Sequence, residues 1–422
     1  MSSCASCPHP SPRNTKTPLS SRRIHLAVFV AALGYFVDVY DLLLFSIVRV
    51  PSLLSLGVAQ ADVLAVGVRL INMQMTGLLL GGIAWGILAD NYGRRSVLFG
   101  SILMYSLANI ANAGVQTVDQ YAWLRFIAGI GLAGELGAGI TLVAEIMSRE
   151  GRGWGTTIVA SLGLLGAVVA GLVGDLFPWR TAYVIGGVLG LSLLALRIGV
   201  TESGMFEAVK KKAVGKGNML LLFSTPTRAL RYLSVVLVGL PTWFVMGILV
   251  TFSPEIGKAL GLETAPTAGR AVMFAYIGAT LGDLLSGALS QVLRSRKKAL
   301  LVFITLCGLG IANYFIMGGL GSLTAFYLAC GILGATSGYW AVFVTVASEQ
   351  FGTNLRGTVA STAPNFVRGA VVPLTIVFQA LKPELGIPGS AMAVGAATLV
   401  IAYLSLAGLE ETFGKNLDYV ES

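Results

Sequence analysis

Gly86-Ile87-Leu88-Ala89-Asp90-Asn91-Tyr92-Gly93-Arg94-Arg95 lies between two nearly uncharged runs, residues 78–89 and 97–108. An acid, a glycine turn and two arginines in that setting read as a tight hairpin joining two membrane helices. The flanking apolar runs hold the charges at the bilayer surface, because an ionised side chain at the helix centre is costly.

Composition supports a membrane chain throughout. Of the 422 residues, 55% are hydrophobic and 12% charged, against roughly a quarter charged in soluble domains. A hydrocarbon core of about 30 Å needs about 20 apolar residues at about 1.5 Å rise each. Twelve such spans are expected, near residues 24–48, 70–89, 97–115, 122–147, 157–177, 182–200, 230–252, 272–292, 300–317, 323–346, 358–381 and 390–408.

Lys and Arg collect in alternate connections, and short loops rich in them stay cytoplasmic. With both termini inside, the inner segments hold Arg22, Arg23, Arg94, Arg95, Arg149, Arg152, the Lys210-Lys211-Lys212 run, Arg296, Lys297 and Arg356. The outer ones hold only Arg49, Arg180, Lys258, Arg270 and Lys382. This asymmetry accounts for the net charge of +9 without a nucleic-acid partner. The stretch before Ile24 reads as a disordered cytoplasmic tail, not a signal peptide, since no small-residue cleavage site follows. Cys4 and Cys7 form a C-x-x-C there, but His9 is the only further ligand nearby, so no metal site is expected. Cys307 and Cys330 fall inside predicted helices.

The expected organisation is a tail at 1–23, a six-helix bundle at 24–200, a polar inter-bundle loop at 201–229, a second six-helix bundle at 230–408 and a tail at 409–422. The halves echo each other: residues 80–96 align with 281–297, Gly86 facing Gly287 and Arg95 facing Arg296. Internal duplication with binding between the halves is common in secondary transporters.

The 86–95 hairpin resembles the signature loop between helices two and three of the major facilitator superfamily. The resemblance extends over nearly the whole chain. Arg125-Phe126-Ile127-Ala128-Gly129-Ile130-Gly131 with Gly134-Glu135 and Ala144-Glu145, then Thr201-Glu202-Ser203, residues 349–356, and Glu410-Glu411-Thr412 to Leu417, are similar to landmarks of its sugar-porter, metabolite:proton symporter and organic-anion branches. It implies an all-α integral membrane protein with twelve helices in two pseudo-symmetric bundles, working by alternating access in the inner membrane.

Several ionisable residues fall inside spans, where they persist mainly by facing water or a partner. Asp38 and Asp41 share a face of the first helix; Arg125 and Glu135 lie ten residues apart in the fourth, about 15 Å along its axis. The resemblance implies that Asp41 pairs with Arg125, and that Asp38 and Glu135 take and release the coupling proton. A fixed structural network of the four is the alternative. In the second half, Arg368, with Asn365 one turn earlier, matches an arginine that organic-anion transporters use for substrate; its alternative is a charge satisfied by Asp283. A guanidinium suits bidentate binding of a carboxylate or phosphate. Gln74, Trp243, Tyr339 and Trp340 are further candidates for the cavity wall, aromatics at helical spacing being also ordinary packing. Asn72 and Arg69 are weaker ones. Asp90, Arg94, Arg95, Glu145 and Arg152 form the expected cytoplasmic gate, which by resemblance latches the outward-open state.

Gly166 is followed by Ala167 where drug:proton antiporters have Gly-Pro, which favours uptake over efflux. The expected function is proton-coupled symport of a small anionic metabolite such as an organic carboxylate, by a monomer with no cofactor or metal, the proton being the coupling ion. A sugar or polyol carrier, a phosphate:proton symporter and a transporter-like nutrient sensor are the alternatives. An enzyme is not expected: no nucleophile motif, metal cluster or phosphate loop is present, and His9 and His25 lie outside the membrane centre.

Overall fold

The computed structural model describes residues 21–92, 94–134, 152–202, 219–415 and 420–421. Every regular element among them is helical, as a bilayer demands of a chain that must satisfy its own backbone. The first half consists of α1 (Ser21–Ser55), α2 (Val63–Tyr92), α3 (Arg94–Asn112), α4 (Val118–Leu132), α5 (Arg152–Leu176) and α6 (Trp179–Glu202). A 3-10 turn (Met219–Phe223) leads into the second half: α7 (Pro226–Val238), α8 (Leu240–Phe244), a π segment (Val245–Val250), α9 (Ser253–Ala259), α10 (Ala268–Val292), α11 (Arg296–Gly318), α12 (Leu323–Ser337), α13 (Trp340–Glu349), α14 (Thr353–Gly369) and α15 (Val371–Ala407).

Seven described helices are long and apolar enough to cross a bilayer, eight with the bent pair Pro226–Val238 and Leu240–Val250. The run from Asn354 to Ala407 holds two spans, folded back at Gly386, whose φ of 67° is open to glycine. The shorter apolar helices Ser96–Asn112 and Leu162–Leu176, and the described part of the fourth span in α4, complete the twelve. The signature hairpin is tighter than the sequence suggests: α2 runs through Asp90 to Tyr92, Arg94 and Arg95 open α3, and only Gly93 lies between the two helices. Helix α1 starts at Ser21, so residues 21–23 of the expected tail are helical.

Two spans read as continuous are broken. The seventh bends by 41° at Gly239, just before Pro241, which removes an N–H from the ladder. The tenth is interrupted at Gly338 and Tyr339. Each break satisfies the other's orphaned carbonyl: the Tyr339 hydroxyl donates to Val238 O at 3.0 Å, and Thr242 Oγ1 donates to Ser337 O at 3.3 Å. Buried backbone acceptors need such partners.

The face that carries Ser21 and Glu421 is here termed the terminal face, and the opposite one the distal face. On the distal face, buried Arg49 at the end of α1 grips Glu255 of α9 with two bonds of 2.7 Å, donates to Thr251 O at 3.3 Å and lies over the Phe252 ring. Asp175 of α5 meets Arg270 of α10 at 3.2 Å. Midway, Thr375 donates to Asn72 Oδ1 at 2.7 Å. All these contacts join the two halves.

Candidate functional site

Where the halves meet, α1, α5, α8, the π segment, α10, α12, α13 and α14 enclose a cavity of about 40 Å³. That is room for roughly three waters at about 10–15 Å³ each. Tyr35, Trp243, Tyr276 and Trp340 give it aromatic walls, and Arg368 and Asp283 are the charged residues among its lining. Trp243 and Trp340 meet edge to face, centroids 6.2 Å apart.

Arg368 is fully buried on α14, and so is Asp38 on α1. Arg368 Nη1 lies 3.9 Å from Asp38 Oδ2, an ion pair across the two halves that is too long for a hydrogen bond, whose usual range is about 2.7–3.2 Å. Neither Nε nor Nη1 of Arg368 makes a hydrogen bond, and the guanidinium carbon stands 5.3 Å over the Trp243 ring. The partner of Arg368 is therefore Asp38, and the alternative of a pair with Asp283 does not hold. Asp283 instead accepts the Ala341 N–H at 3.1 Å. The Tyr35 hydroxyl lies within electrostatic reach of Arg368, Asp38 and Asp283 together.

Asp41 and Arg125 are both buried. Arg125 Nη2 donates to Asn109 at 2.6 Å and the guanidinium stacks 4.9 Å over Tyr183, while an Asp41 carboxylate oxygen lies against Gly186. A neutral amide on α3 thus accepts from Arg125, and the Tyr183 ring supplies cation–π attraction.

Three candidates for the cavity wall serve packing instead. Gln74 donates to Leu42 O at 3.0 Å and binds α2 to α1. Tyr339 caps the broken seventh span, as described above. Asn365 donates to Ala133 O of the first half at 3.1 Å and to Ser361 O at 3.2 Å, a tie between halves on the terminal side of Arg368. Trp243 and Trp340 do line the chamber. Tyr35 and Tyr276 escape the sequence reading because an aromatic inside an apolar helix gives no sign of which way it faces. Arg69 pairs with Asp119 on the exposed distal surface at 2.8 Å. Glu135 and Glu145 lie outside the described residues, as do the side chains of Asp90, Arg94, Arg95 and Arg152.

On the terminal face of the second half, several sequence landmarks converge. Glu411 accepts the Ser295 hydroxyl and the backbone N–H groups of Arg296 at 2.9 Å and Lys297 at 3.2 Å. Burial alone would raise its carboxyl, but these donors and the Phe413 N–H hold it down to about 2. Thr412 donates to Glu349 at 2.7 Å, Arg296 approaches Glu349 at 3.5 Å, and Glu421 reaches Arg231 at 3.0 Å. The tail after the last span is thereby fastened to the ends of α7, α11 and α13.

A helical membrane chain in two six-span halves, closed around a buried ion pair, is the architecture of a secondary transporter. Residues 24–373 match the Major Facilitator Superfamily, and the chain belongs to it; it is a transporter and not an enzyme. The 3-(3-hydroxy-phenyl)propionate transporter of Escherichia coli K12 is 28% identical over 93% of this chain and 96% of its own. A probable 4-methylmuconolactone transporter of Cupriavidus pinatubonensis is 26% identical, covering 89% and 87%, and a putative niacin/nicotinamide transporter of Bacillus subtilis is 25% identical, covering 85% and 88%. A solved structure of the proton:xylose symporter XylE superposes with a TM-score of 0.71 at 16% identity, over 94% of this chain and 98% of that one, which shows the shared fold.

Proposed function

We propose that the protein carries a small aromatic carboxylate together with a proton, by uptake across the inner membrane with both termini in the cytoplasm. The observation that carries this reading is Arg368: a buried guanidinium whose Nε and Nη1 make no hydrogen bond, in a long ion pair with Asp38 and over the Trp243 ring of an aromatic chamber. A planar carboxylate suits the donor fork of a guanidinium and an aryl ring suits aromatic walls, in a form whose chamber is wider than this one. The names of the relatives, transporters of an aryl propionate, a lactone and a pyridine vitamin, support a ring-bearing substrate.

Charge balance supplies the coupling. Within the Asp38–Arg368 pair the two charges cancel. Entry of an anion alone would leave a net negative charge in the membrane, costing at least about 2.5–3.5 kcal/mol. A proton on Asp38 cancels that charge and frees Arg368 for the incoming carboxylate, so the new Arg368–carboxylate pair is again neutral. In the same reading Asp41, Arg125 and Glu135 are the remaining coupling residues.

Reconstituted vesicles test it. Labelled benzoate is expected to accumulate when an inward proton gradient is imposed, Arg368→Ala to lose uptake by at least about tenfold, and Asp38→Asn to keep exchange of labelled for unlabelled acid while losing gradient-driven accumulation. Accumulation indifferent to the gradient, or surviving in Asp38→Asn, overturns the coupling; uptake of xylose or phosphate in place of the acid overturns the substrate class.

A further inference from the structure

Asp283 is the second charged residue of the chamber lining, and the cycle above makes no use of it. It stands on α10, 5% exposed. Its Oδ1 is pinned by the Ala341 N–H at 3.1 Å, a donor set free because the tenth span breaks just before Trp340 and leaves the first N–H groups of α13 without intrahelical partners. The break is itself imposed by packing: Gly338 and Gly282 bring α10 and the α12–α13 junction so close that a Cβ on Gly338 would stand 2.7 Å from Ala279 O and from Gly282 Cα.

The Trp340 backbone N–H also acts on this carboxylate. Oδ2 is buried and makes no hydrogen bond. The nearby cation is committed elsewhere, Arg368 being paired with Asp38, and the Tyr35 hydroxyl, though in electrostatic reach, does not bond it. A buried acceptor left unmet is destabilising, and the more so when charged. The chamber thus offers an anion-binding fork on α14 and an unfilled acceptor on α10, separated by aromatic walls.

We propose that Asp283 Oδ2 receives a hydroxyl carried on the ring of the substrate, so that the carrier selects hydroxylated aryl acids over the unsubstituted acid. This rests on the reading that Arg368 holds the carboxylate, and adds a second point of attachment to it. A site built around a hydrogen-bonding group rejects an analogue lacking that group, because the site's own buried polar atom is then left unpaired.

Equilibrium binding of benzoate, 3-hydroxybenzoate and 4-hydroxybenzoate to the purified full-length protein tests the proposal. The wild type is expected to bind at least one hydroxybenzoate roughly tenfold or more tighter than benzoate. Asp283→Asn and Asp283→Ala are expected to bring that ratio to about one. The ratio is taken within one preparation, so a loss of folded protein cancels from it. A wild-type ratio near one for both isomers, a ratio kept in both variants, or equal loss of all three acids overturns the role of Asp283. Where benzoate binds and Arg368→Ala abolishes it, the carboxylate reading stands while this one falls; where the wild type binds none of the three acids, both fall.

Discussion

Arg368 and Glu411 show two fates of a charged side chain in this protein. Arg368 is surrounded by hydrocarbon and aromatic rings, keeps donors unbonded, and is held by an acid 3.9 Å away. Glu411, just past the last span, is saturated with donors, and they hold its carboxyl at about 2 against a usual value near 4.5. Because the folded value is depressed, its contribution to stability is fully present above about 4.5 and is lost as pH falls from there towards 2. Thermal unfolding of wild type and Glu411→Gln in detergent is expected to show a constant gap from neutral pH to about 5 and a narrowing gap below 4.5. A gap that does not vary with pH would mean that the tail is not fastened through this carboxylate. The sequence marks Glu411 as a landmark but not its partners, since Ser295 lies more than a hundred residues away along the chain.

At the scale of elements, small residues let helices touch backbone to backbone. A Cβ on Gly166 of α5 would stand 2.1 Å from Phe36 O of α1, and one on Gly334 of α12 would stand 1.8 Å from Ala275 O of α10. From the sequence Gly166 was read only for the residue that follows it; the α1 surface it packs against was not legible. Gly334→Ala forces α12 off α10 and is expected to cost about 1–3 kcal/mol, read as a lower unfolding midpoint. Gly100→Ala, whose new methyl would meet nothing nearer than Trp85 at 3.5 Å, is expected to leave the midpoint unchanged. Equal midpoints for the two variants would show that the α10–α12 contact yields easily. The two broken spans were invisible to hydropathy, because a window average counts apolar residues and does not register whether their backbone stays helical.

For the whole molecule, closure on the distal face depends on Arg49. Its two bonds to Glu255 are buried against Phe252, whereas the Asp175–Arg270 pair beside it is exposed and of the kind worth about 0–1 kcal/mol. Removing one partner of a buried pair strands the other and costs about 3–5 kcal/mol. Glu255→Gln is therefore expected to shift the population towards a form open on the distal side. A cysteine placed at Met246 in the chamber wall should then react faster with an impermeant maleimide applied to that side of oriented vesicles. An unchanged labelling rate would show that the halves are held together by packing rather than by this pair. Arg49 was read from the sequence only as one of the few basic residues of the outer loops.

Hydropathy, the spacing of charges and the internal echo were enough to read a helical membrane protein of two halves, because lipid imposes one solution on every apolar run and these signals are local; that it is a transporter came from the resemblance of its landmark motifs. Which buried charges meet is a matter of how twelve helices rotate and cross. Asp38 was paired with Arg368, Arg125 with Asn109 and Tyr339 with a broken helix end only by that packing. Side chains three hundred residues apart were brought within bonding distance there, and no periodicity within a single helix encodes such a meeting.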